Sequence, residues 1–226
     1  MNSKDTLGNI VSKYPNTISV MNQYKLDYCC GGKDTLELAI ENLGLNHMEV
    51  VDALKEVIVD QKIDEVIDWK QASYKEIIDH ILSTHHVFMR DVLEELNISL
   101  FKLLKVHYKT HGESLLKIHK LFGTLKTELE AHLIKEEENL FPMILSYEQS
   151  KDPKVKEAIV KFINDTEDEH DAAGNLFKAL ANETNDYSVP EGACFTYKRA
   201  YELLDALEKD TFNHIHMENS ILFEMI

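Results

Sequence analysis

The sequence predicts an all-α protein, a four-helix bundle preceded by a small helical N-terminal domain. Three observations carry that prediction. The 226 residues include only eight glycines and four prolines (Pro15, Pro142, Pro153 and Pro190), so long stretches run without a breaker. Within those stretches apolar residues recur at three- and four-residue intervals rather than in alternation. Around Trp69 the pattern resets: QKIDEVIDWKQ is polar and mixed, and Ser73 with Glu76 then forms an S-x-x-E capping box that opens a new helix.

That reset places a boundary near residues 62–72, between a domain over 1–66 and a bundle over 67–226. The first domain reads as several short helices around a turn at DYCCGGK, and it is too small to build a strong core alone. Four long helical patterns follow, at 73–97, 113–146, 153–183 and 194–224. Asp152-Pro153 opens the third, with proline at a permitted first-turn position, and NETNDYSVPEG separates it from the fourth. Four amphipathic helices joined by modest loops imply a bundle.

Composition narrows the function. Forty Asp and Glu against 24 Lys and Arg give a formal charge of -16, which repels phosphate backbones and anionic lipid. With no cluster of basic residues, nucleic acid is not an expected partner. No apolar run approaches the roughly 20 residues of a membrane span, and MNSKDTLGNI lacks the apolar stretch of a signal peptide. A membrane is therefore not expected either, and the expected location is cytoplasmic. Three cysteines, adjacent Cys29 and Cys30 and distant Cys194, make no disulfide framework and agree with a reducing compartment.

The chemistry lies in a repeat. HLIKEEENLF starts at His132 and HIHMENSILF at His214, 82 residues later, and in each a histidine precedes a glutamate by four positions: His132 and Glu136, His214 and Glu218. Of eleven histidines only these two have an acid at i+4. Stepping by threes and fours through Ile118, Phe122, Leu125 and Leu129 leads to His132, Glu136 and Leu140. Stepping through Leu204, Leu207 and Thr211 leads to His214, Glu218, Ile221 and Met225. Both pairs thus lie on buried stripes.

One buried histidine is more often a satisfied core residue than a ligand. Two equivalent buried carboxylates are a different matter, because each costs several kcal/mol unless paired. A shared metal centre resolves both costs. Helix three offers His170, in phase with Ile163, Thr166, Phe177 and Ala181. Helix one offers His80, His85 and His86, and the phase of Ile78, Leu82, Met89 and Leu93 puts both His85 and His86 near the core. Spacing alone does not choose between them. The repeat slightly favours His86, which precedes His132 by 46 residues where His170 precedes His214 by 44. Four imidazoles and two bridging glutamates give each of two metals two nitrogens and two oxygens, and an oxo or hydroxo bridge makes five ligands with one position open. Such donors suit iron or manganese better than structural zinc.

Together, DYCCGGKDTL, IIDHI followed by His86, HLIKEEENLFPMI, DEHDAAG and HIHMENSILF resemble the Repair of Iron Centres family of di-iron proteins, whose larger domain is hemerythrin-like. The resemblance covers nearly the whole chain. It implies two non-haem irons per chain, oxo- or hydroxo-bridged, bound by His86, His132, Glu136, His170, His214 and Glu218, with the glutamates bridging. It also selects His86 over His85, where relatives commonly carry an aromatic residue. The ending ILFEMI departs from the pattern, since proline commonly follows the phenylalanine as Pro142 does.

The family role is repair of iron-sulfur clusters damaged by nitric oxide or oxidants, by iron donation, so damaged iron-sulfur proteins are the implied partners, with homodimer formation left open. Two other classes stay in view: an enzyme reducing nitric oxide at the irons, and a carrier or sensor of dioxygen or nitric oxide. Carriage ranks last, because an oxygen-carrying site ordinarily has a fifth histidine. Cys29 and Cys30 have two readings. Either they pack in a tight turn whose Gly31 and Gly32 supply unusual backbone angles, or they are working thiols that receive or pass on iron, react with nitric oxide or cycle through a strained vicinal disulfide. His107 and His111, four apart, have the spacing of a surface metal pair, but HYKTHGES places them in a polar turn. His47, His80, His119 and His216 are read as solvated or supporting, and Glu137 and Glu138 as an exposed face.

Overall fold

The computed structural model describes residues 1–59 and 67–226. The expected boundary at 62–72 falls partly on residues 60–66, outside the described residues. Every regular element among the described residues is helical, and the one extended pairing is an isolated bridge between Thr6 and Thr35. The chain forms two compact units, Met1–Ile77 with Phe212–Ile226, and Ile78–Thr211.

The first unit contains helices α1 (Leu7–Lys13), α2 (Ile18–Gln23), α3 (Leu36–Asn42) and α4 (His47–Val59). Two of them start alike. Thr6 and Thr35 cap α1 and α3, their hydroxyls accepting from the amides of Asn9 and Leu38. Leu7, Ile10, Val11, Val20, Met21, Tyr28, Leu36, Val50 and Leu54 form its core, with Phe212 packed against it. At about 1.5–3 kcal/mol per large apolar side chain buried, such a cluster can order helices too short to persist alone. Gly31 and Gly32 are not in the left-handed region, which among the described residues holds only Gly44 and Gly192 of the glycines. The expectation of unusual angles is corrected, because the constraint is space. A Cβ at Gly31 would sit 2.7 Å from the Asp27 carbonyl oxygen, and one at Gly32 would sit 2.7 Å from that of Tyr28.

Helix α5 (Tyr74–His80) begins at the expected capping box: Glu76 accepts from the Ser73 amide and hydroxyl, both at 2.8 Å, and the Ser73 hydroxyl accepts from the Glu76 amide at 3.3 Å. These bonds hold the Glu76 carboxyl below its ordinary range. A π-helical turn, Ile81–His86, leads into α6 (Val87–Lys135). A straight helix of those 49 residues would be about 73 Å long. Yet His86 Nε2 and Glu136 Oε2, which bracket it, are 3.3 Å apart. The run is therefore two antiparallel arms folded at residues 107–111, where His107 (φ -103°, ψ 15°) and His111 (φ -133°, ψ 19°) leave helical geometry.

A second π turn, Glu136–Leu140, joins the second arm to α7 (Phe141–Ser150). Helix α8 (Pro153–Thr184) starts at Asp152, whose Oδ1 accepts from the Lys154 amide at 2.8 Å, and packs along α6. It ends in left-handed Asn185. Helix α9 (Phe195–Met217) lies on the first arm, where Arg199 donates from Nε and Nη2 to both Glu95 oxygens at 2.9 and 3.1 Å. The two arms, α8 and α9 make the bundle. A third π turn, Glu218–Leu222, follows α9. No helix of the described residues is long and apolar enough to cross a membrane.

Candidate metal centre

The second unit brings four of the expected ligands together. His86, His132, Glu136 and His170 are all buried, the carboxylate of Glu136 completely. Glu136 presents Oε2 to His86 Nε2 at 3.3 Å and Oε1 to His132 Nε2 at 3.1 Å. His170 Nε2 lies 3.2 Å from His132 Nε2. The donor atoms of His132, Glu136 and His170 all fall within 4.8 Å of one another. Each carboxylate oxygen faces a different imidazole, the arrangement a bridging carboxylate requires.

Outer carboxylates set the rings. His86 Nδ1 donates to Glu137 Oε1 at 2.7 Å, and His132 Nδ1 donates to Glu169 Oε2 at 3.0 Å. An ionised carboxylate has no proton to give, so both Nδ1 atoms carry hydrogen and both Nε2 atoms face inward. Arg90 holds Glu137 from the other side at 2.8 Å, and Lys135 pairs with Glu169. Against burial, Arg90 and His86 keep Glu137 below the usual carboxylate range. The hydrogen bond from His132, opposed by burial and helped by Lys135, holds Glu169 at about 2. Burial disfavours a charged His132, but the Glu136 charge and the bonds to Glu136 and Glu169 prevail and raise it to about 9. Such a pocket draws positive charge. Its nitrogen and carboxylate donors, with no thiolate, fit iron or manganese.

His214 and Glu218 belong to the first unit, where both are buried and His214 Nε2 lies 3.5 Å from Glu218 Oε2. Glu218 opens a π turn just as Glu136 does, and His86 closes one. The N-terminal helices grip this stretch. The Tyr28 hydroxyl donates to Asn213 Oδ1 at 2.8 Å, and the Asn219 amide donates to the Cys29 carbonyl at 3.5 Å. His216 Nε2 lies 3.4 Å from the Ser12 hydroxyl, with the Tyr28 ring edge-on. Burial pushes His216 down to about 4, opposed by a bond with the Tyr28 backbone and helped by the charge of Lys70.

Cys29 is buried and Cys30 half-buried, their sulfurs 3.8 Å apart. The hydrogen bond to Cys30, burial, and the charges of Cys30 and Asp27 raise the Cys29 thiol well above its ordinary value. His85 faces Asp210, Nδ1 to Oδ1 at 2.9 Å. At the fold of α6, His107 and His111 stand edge-on to the Tyr197 ring, and His107 Nε2 is 3.4 Å from Cys194 Sγ.

Three features escaped the sequence reading. Glu137 is half-buried on His86 rather than part of an exposed face, whereas Glu138 is exposed. Glu169 and Arg90 were also missed, although Glu169 adjoins His170 and Arg90 stands four residues from His86.

A family model described as "Hemerythrin HHE cation binding domain" matches residues 77–226, and one described as "Domain of Unknown function (DUF542)" matches residues 3–58. The iron-sulfur cluster repair protein YtfE of Escherichia coli O157:H7 is 36% identical over 218 residues, covering 96% of this chain and 94% of that protein. Those of Escherichia coli O8 (strain IAI1) and Shigella boydii serotype 4 (strain Sb227) match with the same identity and coverage. The chain therefore belongs to the hemerythrin HHE cation-binding family and to the two-domain branch of it that these relatives represent.

Proposed function

We propose that His86, His132, Glu136, His170, His214 and Glu218 hold two non-haem irons, with Glu136 and Glu218 bridging, and that the chain donates iron to iron-sulfur clusters damaged by nitrosative and oxidative stress. The observation that carries this reading is the fully buried Glu136, with one oxygen on His86 and the other on His132. The sequence repeats its His/Glu pair at His214 and Glu218, and the relatives named above are cluster-repair proteins.

Bound iron supplies an exchangeable Lewis-acidic ion. The chain's own residues do the rest. Glu137 and Glu169 hold their imidazoles in the tautomer that aims Nε2 inward, and the buried carboxylates neutralise the cations. Arg90 and Lys135 keep the outer carboxylates ionised and in place.

Elemental analysis of the purified full chain should give two irons, with an oxo-bridge absorption band. Incubation with a nitric-oxide-damaged iron-sulfur enzyme should then restore its activity as iron leaves the chain. Turnover of nitric oxide by the reduced protein, with iron retained and no recovery of the damaged enzyme, would replace donation by a nitric oxide reductase reading.

A further inference from the structure

We propose a second metal site, made by Asp27, Cys29 and Cys30, that takes a borderline divalent cation in an open three-donor arrangement. One donor atom from each residue lies within 4.8 Å of the others. The Cys29 and Cys30 sulfurs are 3.8 Å apart, and Cys29 Sγ is 3.3 Å from Asp27 Oδ1. Two thiolates bound at about 2.3 Å in a tetrahedral set stand about 3.8 Å apart, so the sulfurs already hold the spacing of one tetrahedral edge.

The turn is built to keep them there. Asp27 Oδ1 accepts from the amides of Cys30 and Gly31, both at 3.0 Å, which fixes the carboxylate against the thiols. Gly31 and Gly32 let the backbone close to distances that a Cβ would forbid. Cys29 forms the buried floor, while Asp27 and Cys30 are half-buried and offer the entry. With three protein ligands the fourth position stays open, as suits a site that passes its ion on rather than a closed structural one. Capture is an exchange: the cation binds two sulfurs as thiolates and two protons go to solvent.

The site adjoins the turn that carries Glu218. Asn219, the next residue, donates to the Cys29 carbonyl, and the Ser220 hydroxyl lies 3.1 Å from where a Gly32 Cβ would be. A cation handed between Glu218 and the thiols would move between neighbouring segments of one unit. Ferrous iron as the natural cargo rests on the repair reading; capture of a metal does not.

The test adds cadmium(II) to the iron-loaded full chain, followed by gel filtration, elemental analysis and the ultraviolet thiolate-to-cadmium band. One cadmium per chain should bind with the iron count unchanged. Cys30→Ser should weaken binding at least tenfold and reduce the band, whereas Cys194→Ser should leave both intact. Asp27→Asn keeps the oxygen that caps the turn but removes the anionic donor, and it too should weaken binding at least tenfold. Cys30 is half-buried, so its serine variant carries the test if Cys29→Ser fails to fold. Binding unchanged in Cys30→Ser or in Asp27→Asn, or cadmium gained only as iron is lost, would overturn the site. A chain that captures cadmium this way but repairs no cluster keeps the site and loses the repair reading.

Discussion

His86 and Glu137 form a hydrogen bond of 2.7 Å between Nδ1 and Oε1, and the same carboxylate oxygen takes Arg90 at 2.8 Å. A residue beside the buried Glu136 thus decides which nitrogen of His86 faces inward. Glu137→Ala should leave that ring free to turn and quicken iron loss to a chelator by about 10-fold or more. Glu138→Ala, at an exposed position, is the proper control and should lose iron at the wild-type rate. Equal rates in the two variants would make the His86–Glu137 bond incidental.

Glu136 and Glu218 carry the bridging assignment. If both bridge as proposed, replacing either by Ala would take one oxygen from each metal, and iron per chain after gel filtration should fall well below that of Glu138→Ala. A full complement of two irons in both variants would mean that neither carboxylate bridges.

The adjacent histidines of helix one should separate by readout. His86→Ala should deplete iron. His85→Ala should keep the metal count but expose the cost of leaving half-buried Asp210 without its imidazole, about 1–3 kcal/mol by denaturant unfolding. Asp210→Asn keeps an acceptor for His85 Nδ1 and leaves no unpaired charge, so it should cost less than His85→Ala. Metal loss in His85→Ala with retention in His86→Ala would reverse the ligand choice.

His216 gives the first unit a pH dependence. Its folded value of about 4 lies below the ordinary 6.5, so the unfolded chain takes the proton first. The resulting stability is full above pH 6.5, declines as pH falls toward about 4, and amounts to a few kcal/mol at most. His216→Phe should remove this component. Between pH 7 and pH 5 the midpoint of thermal unfolding should then drop less in the variant than in wild type.

Much of this was legible in the sequence, because it depended on period and punctuation. The capping box at Ser73 and Glu76, the Asp152-Pro153 start and the buried stripe through Ile118, Phe122, Leu125, Leu129 and His132 follow from local rules that the fold obeys. Stepping failed where a π turn intervened. Ile81 is fully buried while Leu82, expected on the inner face, is only partly so, and Met225 at the end of the last stripe is likewise half-buried. The outer carboxylates were illegible for another reason. Glu137 and Glu169 look like solvated charges until His86 and His132, 51 and 37 residues away in sequence, are seen to need acceptors.

Each π turn carries one more residue than an α turn and forgoes its tighter geometry. Read as an insertion, it is a reading-frame shift in three dimensions. With all five of its residues kept, Glu136–Leu140 wound as α would favour the helix locally but would swing everything beyond it by about 90° about the axis. The helix would improve as a helix while Leu140 and Phe141, both buried, were turned off the inner face. The chain accepts a poorer helix for better aim at the residues that must point inward.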